Sequence, residues 1–213
     1  MNRKNLFSSS PRRACAALLA AALILLAAAP LAAQRNARVL HRNLDELVSD
    51  ASIILSGKVA GVRQERHPQY NNFQTVLITF QVDEVLKGQV GSQYTVRLYV
   101  DDALDIKTSL GYKLGEEYFL LLTRPSEVGF SSPAGLEQGR FRVRLDAQGN
   151  RYLVNGYNNM GLFGRMDTTS PASKLAPRLD STQQRMIAEH RAGPLPSDNL
   201  KNVIRAIVAS QSQ

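Results

Sequence analysis

The chain has 213 residues, 44% of them hydrophobic and 21% charged, with 26 basic against 18 acidic side chains, one Cys and no Trp. That balance excludes a disordered chain, a disulfide-stapled miniature scaffold and a multi-span membrane protein. It fits one ordinary domain with appendages.

Residues 1–33 read as a secretory signal. Arg3, Lys4, Arg12 and Arg13 precede sixteen consecutive apolar residues, Ala14 to Ala29, and Pro30-Leu31-Ala32-Ala33 supplies a small-residue cleavage site. An uncleaved anchor is the alternative, because the twenty residues from Ala14 to Ala33 could span a bilayer. Both readings put the rest of the chain outside the cytoplasm, periplasmic or secreted, with membrane contact only through this segment. The segment holds four of the 26 basic residues and no acidic ones, so the remainder carries 22 against 18, or +4. Much of the basicity therefore belongs to targeting, which counts against a nucleic-acid partner. Cys15 leaves with the signal, so no disulfide, Cys-ligated metal or Cys nucleophile is expected.

Residues 34–50 should form a short helix packed on the body. Val39, Leu40, Leu44, Leu47 and Val48 fall at helical spacing, and Ser49-Asp50 ends the pattern. From there the period changes to two. Ile53, Leu55 and Val59 alternate with polar residues, and Gly57 and Gly61 share the apolar parity, as in a strand that coils hard or is closely approached by another chain. After a polar tip at 67–72, Val76, Ile78, Phe80 and Val82 form the next apolar face. It resumes at Val85, an odd step that predicts a bulge. Tyr94, Val96, Leu98 and Val100 alternate again after a turn at 87–91.

Tyr118 to Leu122 is apolar on both parities and needs cover on both sides, barrel interior on one and a helix on the other. Phe141, Val143 and Leu145 alternate with Arg140, Arg142 and Arg144, and a turn at 146–150 leads to Tyr152-Leu153-Val154. Five or six antiparallel strands over 51–155 predict a mainly β domain, a small closed OB-like barrel. Residues 156–180 read as a surface loop. The C-terminal extension 181–213 holds a weak helix from the Ser181/Gln184 capping spacing to about His190. A stronger one follows, with Leu200, Val203, Ile204, Ile207 and Val208 in one stripe behind Ser197-Asp198.

Sequence signals for chemistry are sparse. His41, His67 and His190 stand far apart, no metal-binding or nucleophile motif is present, and Gly161-Leu162-Phe163-Gly164 reads as a turn. No metal or cofactor is expected. Asp101, Asp102 and Asp105 lack the ladder of a calcium loop and read as a solvated strand-end loop. Glu116 and Glu117, adjacent on a strand, point to opposite sides and make no catalytic pair. Arg140, Arg142 and Arg144 share one strand face with heads about 7 Å apart. They are the anion-binding candidate, against the plainer reading of an outward face matched by neighbouring carboxylates.

Three stretches carry a resemblance: Ser49 to Ile54 running into Gly57-Lys58-Val59, Phe80 to Gly88, and Leu114-Gly115-Glu116-Glu117 running into Tyr118 to Leu122. Together they resemble a loose group of exported bacterial domains of unassigned function, similar to OB-type barrels and more remotely to the netrin-like barrels of metalloproteinase inhibitors. The resemblance covers about half of the chain after the signal and concerns turns, bulges and core strands, so it implies fold rather than function. Those inhibitors coordinate a target's zinc through an N-terminal cysteine, which this chain lacks after the signal.

The expectation is an exported, non-enzymatic binding domain of the cell envelope. Its partner would be a protein or an anionic envelope component. The alternatives are a secreted hydrolase using loop carboxylates and His67, with His67 in a cleft beside Asp101 or Glu116, and an OB-type nucleic-acid module. For the binding reading, His67 should sit exposed at a hairpin tip.

Overall fold

Among the described residues, seven antiparallel strands form one sheet: β1 (Ala51–Arg66), β2 (Gln74–Lys87), β3 (Gln93–Val100), β4 (Glu117–Thr123), β5 (Arg140–Leu145), β6 (Arg151–Asn155) and β7 (Leu195–Pro196). Three helices accompany it: α1 (Leu44–Asp50), α2 (Ser181–Glu189) and α3 (Ser197–Gln211). This computed structural model describes residues 40–100, 108–170 and 172–211. Residues 41–213 make up one unit, described below, and 1–40 another. The predicted signal at 1–33, Val39, and the loop with Asp101, Asp102 and Asp105 lie outside the described residues.

The expected closure into a barrel is not made. The strand order runs β3-β2-β1-β4-β5-β6-β7, with no pairing between its two ends. The place beside β3 that a closing strand would take is met by the β4–β5 connection instead. There the Ser131 N–H donates to the Arg97 carbonyl at 3.0 Å, while the Thr123 N–H reaches back to the Ser132 carbonyl at 2.9 Å. A single backbone bond from a loop does not make a ladder, so the sheet stays open.

The β1–β2 hairpin is long and strongly bulged. Its register shifts at Ile54/Leu55, Ser56/Gly57 and Val59/Gly61, so that Leu86 and Asp83 are extra residues on β2 and Ala60 is extra on β1. The odd step after Val82 is thus a bulge, as expected. The residue it swings into a core is Leu86 rather than Val85, which is 37% exposed. Gly57 sits where β2 approaches too closely for a side chain: a Cβ there would lie 2.5 Å from the Gln81 carbonyl oxygen. Gly61 has ordinary room, its nearest neighbour being Thr79 Cβ at 3.6 Å.

Two apolar cores lie on opposite faces, and β4 feeds both. Phe119 and Leu121 join a helix-side core with Leu44, Leu47 and Val48 of α1 and Leu200, Val203, Ile204 and Ile207 of α3. Tyr118, Leu120 and Leu122 join Leu55, Val59, Val76, Ile78, Phe80, Val96 and Leu98 in a second core inside the curl of β1–β4. A fully buried aliphatic side chain is worth roughly 1.5–3 kcal/mol. The α3 stripe therefore outweighs the flanking Glu84–Lys201 and Glu84–Arg205 ion pairs, which rank as surface bridges of at most about 1 kcal/mol each.

The helices start where side chains can satisfy their first amides. Asn43 caps α1, accepting from the Glu46 N–H at 2.9 Å while Glu46 returns a bond to the Asn43 N–H. Leu40, expected in the α1 stripe, is exposed. The cap of α2 is Asp180 with Gln183, one residue before the predicted Ser181/Gln184. Helix α3 begins at Ser197 directly out of β7, a two-residue strand with no periodicity to betray it. Residues 156–180 are not merely a surface loop, because Leu162, Phe163, Leu175 and Leu179 are buried in the helix-side core.

Replacing Gly57 by Ala should cost about 1–3 kcal/mol through overpacking against the β2 backbone, whereas Gly61→Ala should change stability by under about 0.5 kcal/mol. Urea denaturation of the two variants checks this, and equal effects would contradict the close approach.

Candidate functional site

Strand β5 meets β4 at three positions only: Tyr118 opposite Arg142, Phe119 opposite Phe141 and Leu120 opposite Arg140. Directly opposed residues share a face. Arg140, Arg142 and Arg144 therefore lie on the same face as Tyr118 and Leu120, as their spacing predicts, but their surroundings divide them.

Arg140 is a buried structural residue, 7% exposed. Its Nε and Nη2 donate to Glu137 Oε2 at 3.1 and 2.7 Å, its Nη1 donates to the Leu110 carbonyl at 2.5 Å, and its guanidinium carbon lies 4.6 Å over the Tyr112 ring. Burial alone would lower its pKa, but Tyr112 and Glu137 outweigh that and hold it above its ordinary value. Burial in turn pushes the Tyr112 phenol up. Tyr118 is pushed up to about 12, first by burial and then by Glu116, whose Oε2 accepts its O–H at 2.8 Å.

Arg142 is half-buried and Arg144 exposed, and neither side chain has a hydrogen bond or ion pair to a described residue. The Arg142 Nη2 lies 3.4 Å from where a Cβ on Gly111 would sit, and Gly111 has φ +76°, so glycine there leaves both the turn and the guanidinium room. Because β4 begins only at Glu117, β5 has no β4 partner beyond Arg142. The resulting notch, about 360 Å³, is lined by Lys58, Lys113, Glu116, Glu117, Arg142 and Arg144 among others. Glu117 is paired with Arg151, and Glu116 with Lys113 at 3.7 Å. Lys58, Arg142 and Arg144 are left without a carboxylate partner among the described residues.

A second hollow of about 410 Å³ runs along the same arginines, bounded by Glu137, Val154 and Asn158. An open, cationic, partly desolvated surface of this kind can take a phosphate, sulfate or carboxylate through paired N–H donors.

The other sequence candidates have structural roles. His67 lies at the β1–β2 hairpin tip as expected, but it is 2% exposed rather than open to solvent. The β4–β5 connection covers it. Its Nε2 donates to the Val128 carbonyl at 2.8 Å, its Nδ1 accepts from the Gln69 N–H at 3.2 Å, and its ring packs 5.0 Å from Phe130. Both ring nitrogens are occupied by backbone groups, and Glu116 lies away from the tip, beside Val59 midway along β1. His41 bonds Gln138 Oε1 through Nδ1 at 3.1 Å.

His190 stacks edge-on against Phe163, and its Nε2 is buried without a partner. The turn at 161–164 serves α1: Leu162 and Gly164 carbonyls accept from the Leu44 N–H and the Asn43 amide. Glu116 and Glu117 point apart, to Tyr118 and Arg151 respectively. Among the described residues no three His, Cys, Asp or Glu side chains gather as a metal site, and no helix is long and apolar enough to cross a membrane.

Sequence reasoning missed Glu137, Tyr112 and Lys58 at this site. Glu137 lies in a one-turn 3-10 helix and Arg140 on the strand after it, so helical spacing did not announce their pairing. Tyr112 and Lys58 arrive from distant elements, and nothing local announces them. No protein-family model, curated protein or solved structure matches the chain.

Two outcomes follow from these environments. A double-mutant cycle of Glu137→Ala and Arg140→Ala in urea melts should show coupling above about 1 kcal/mol, against under about 0.5 kcal/mol for the more exposed Glu117–Arg151 pair. His190 is held below its ordinary value of 6.5, chiefly by burial. The unfolded chain therefore takes up this proton first as pH falls, and the stability from neutral His190 is lost between the ordinary value and its lower folded value. The melting temperature should drop as pH falls through and below 6.5, and His190→Phe should flatten that part of the profile. An unchanged slope would contradict the assignment.

Proposed function

We propose that this chain is an exported, non-enzymatic binding domain of the cell envelope that holds an anionic group on Arg142 and Arg144 of β5. The observation that carries this reading is Arg142, a half-buried guanidinium with no acceptor among the described residues, beside a second unmatched arginine in an open notch. Partial burial costs a cation its hydration, and an anion bearing several oxygens would return those hydrogen bonds. Arg140 braces the ridge from beneath rather than binding ligand, because its donors are already taken up by Glu137 and Leu110. The apolar signal pattern of 1–33 supports export. The bulged, coiled β1–β2–β3 meander supports kinship with OB-like domains, here open at one seam. The hydrolase alternative loses support because His67 is buried with both ring nitrogens engaged.

Inorganic phosphate titrated into the full chain, followed by NMR of the arginine Nε–H signals, should shift Arg142 and Arg144 and leave Arg140 nearly still. Arg142→Ala/Arg144→Ala should weaken binding by about tenfold or more, the scale of losing charge-assisted hydrogen bonds, and added salt should weaken it further. Unchanged affinity in the double variant would refute the reading.

A further inference from the structure

The pair that braces the ridge is also the wall of a chamber of different character. Glu137 and Arg140, which bound the arginine hollow, line a cavity of about 480 Å³ whose other walls include Leu98 of β3, Leu110, Tyr112, Phe130 and Leu136. That volume lies within the roughly 300–1,000 Å³ of small-molecule sites, which are mostly apolar with a few placed polar groups. Leu136 and Tyr99, both on its lining, are about half exposed. Among the described residues, the curl of β1–β4 thus leaves an apolar space at the seam where the sheet does not close. Arg140, the buried charge on its lining, is tied to Glu137 and Leu110. Among the described residues, unpaired charge lies on both sides of that pair: the exposed Arg124 on the chamber's lining, and Arg142 and Arg144 beyond it.

We infer that the ligand is a single-chain amphiphile with an anionic head, its head on Arg142 and Arg144 and its tail in the chamber beyond the Glu137–Arg140 pair. The inference rests on the anion-binding reading and adds the apolar half of the ligand. Adjacency carries it: one pair of side chains lines both spaces. A purely ionic ligand would leave the chamber and the exposed Leu136 without a role, and a neutral apolar ligand would leave Arg142 unmatched.

The test is calorimetric titration of the full chain with inorganic phosphate and with butyl, hexyl, octyl and decyl phosphate as monomers. The expected result is affinity rising about fourfold per methylene, the equivalent of roughly 0.8 kcal/mol for each CH₂ buried, until the chamber is full. Leu136→Asp should flatten that series. Arg142→Ala/Arg144→Ala should weaken every member by a similar factor while keeping the slope.

Affinity independent of chain length, with phosphate itself bound normally, would overturn this inference and leave the anion reading standing. Absence of phosphate binding would overturn both. Octyl glucoside binding as tightly as octyl phosphate, insensitive to the arginine substitutions, would also overturn it, since head and tail would not share a ligand. So would sedimentation with phosphatidylglycerol vesicles without binding of any monomer, which would mark a membrane surface instead. The wild-type slope decides the matter should L136D fail to fold.

Discussion

The burial of both faces of β4 is the constraint on which the rest of the structure depends. A strand covered on one side only can alternate apolar and polar residues, but Tyr118 to Leu122 has no polar residue to turn outward. It is stable only with α1 and α3 on one face and the curl of β1–β3 on the other. Several features follow from this. The β1–β2 hairpin must bend far enough to wrap the second face, and it does so through three register shifts and the close approach at Gly57. Helices from both ends of the described chain must converge on the first face. The two cores are therefore coupled through the backbones of β4 and of its neighbour β1, which places Ala51 and Ile54 in one core and Leu55 and Val59 in the other.

The same strand shapes the candidate site by its shortness. Its ladder with β5 ends at Tyr118 and Arg142, so the arginine face passes from fully covered to open within five residues. Arg140, beside the core, is neutralised and stacked, Arg142 is half-covered and Arg144 is free to solvent. Three residues of identical chemistry thus acquire different roles from their position along one gradient of burial. Glu84 illustrates a complementary outcome on the helix side. Burial pushes its carboxyl up, yet the Lys201 and Arg205 cations more than compensate and hold it below its ordinary value.

Much of this was legible from local pattern, and the failures share a cause. The two-faced character of Tyr118 to Leu122, the shared face of the three arginines, the bulge after Val82 and the α3 stripe all express periodicity within one element, which sequence records directly. Closure, the burial of His67 and the inward packing of Leu162, Phe163, Leu175 and Leu179 depend on where a distant segment comes to rest. The tip at 67–72 looks solvated until the β4–β5 connection lies over it, and no spacing within either segment announces that meeting. Val85 and Leu86 differ for a subtler reason. A period break shows that a residue is inserted, but which neighbour bulges is decided by the partner strand. The α2 cap lies one residue before the expected one because Asp180 and Ser181 are both competent caps, and the backbone chose between them.

An open sheet has ends, and a row of unsatisfied amides at an end invites another chain to continue the sheet. Here the far end is β7, whose pairing with β6 amounts to Leu195 opposite Leu153 and Pro196 opposite Tyr152. Proline brings no N–H, and the chain turns into α3 at the next residue. A terminus made of two residues, one of them unable to donate, is a poor template for runaway polymerisation. This blunt margin acts as a safeguard against fibre growth from that end of the sheet.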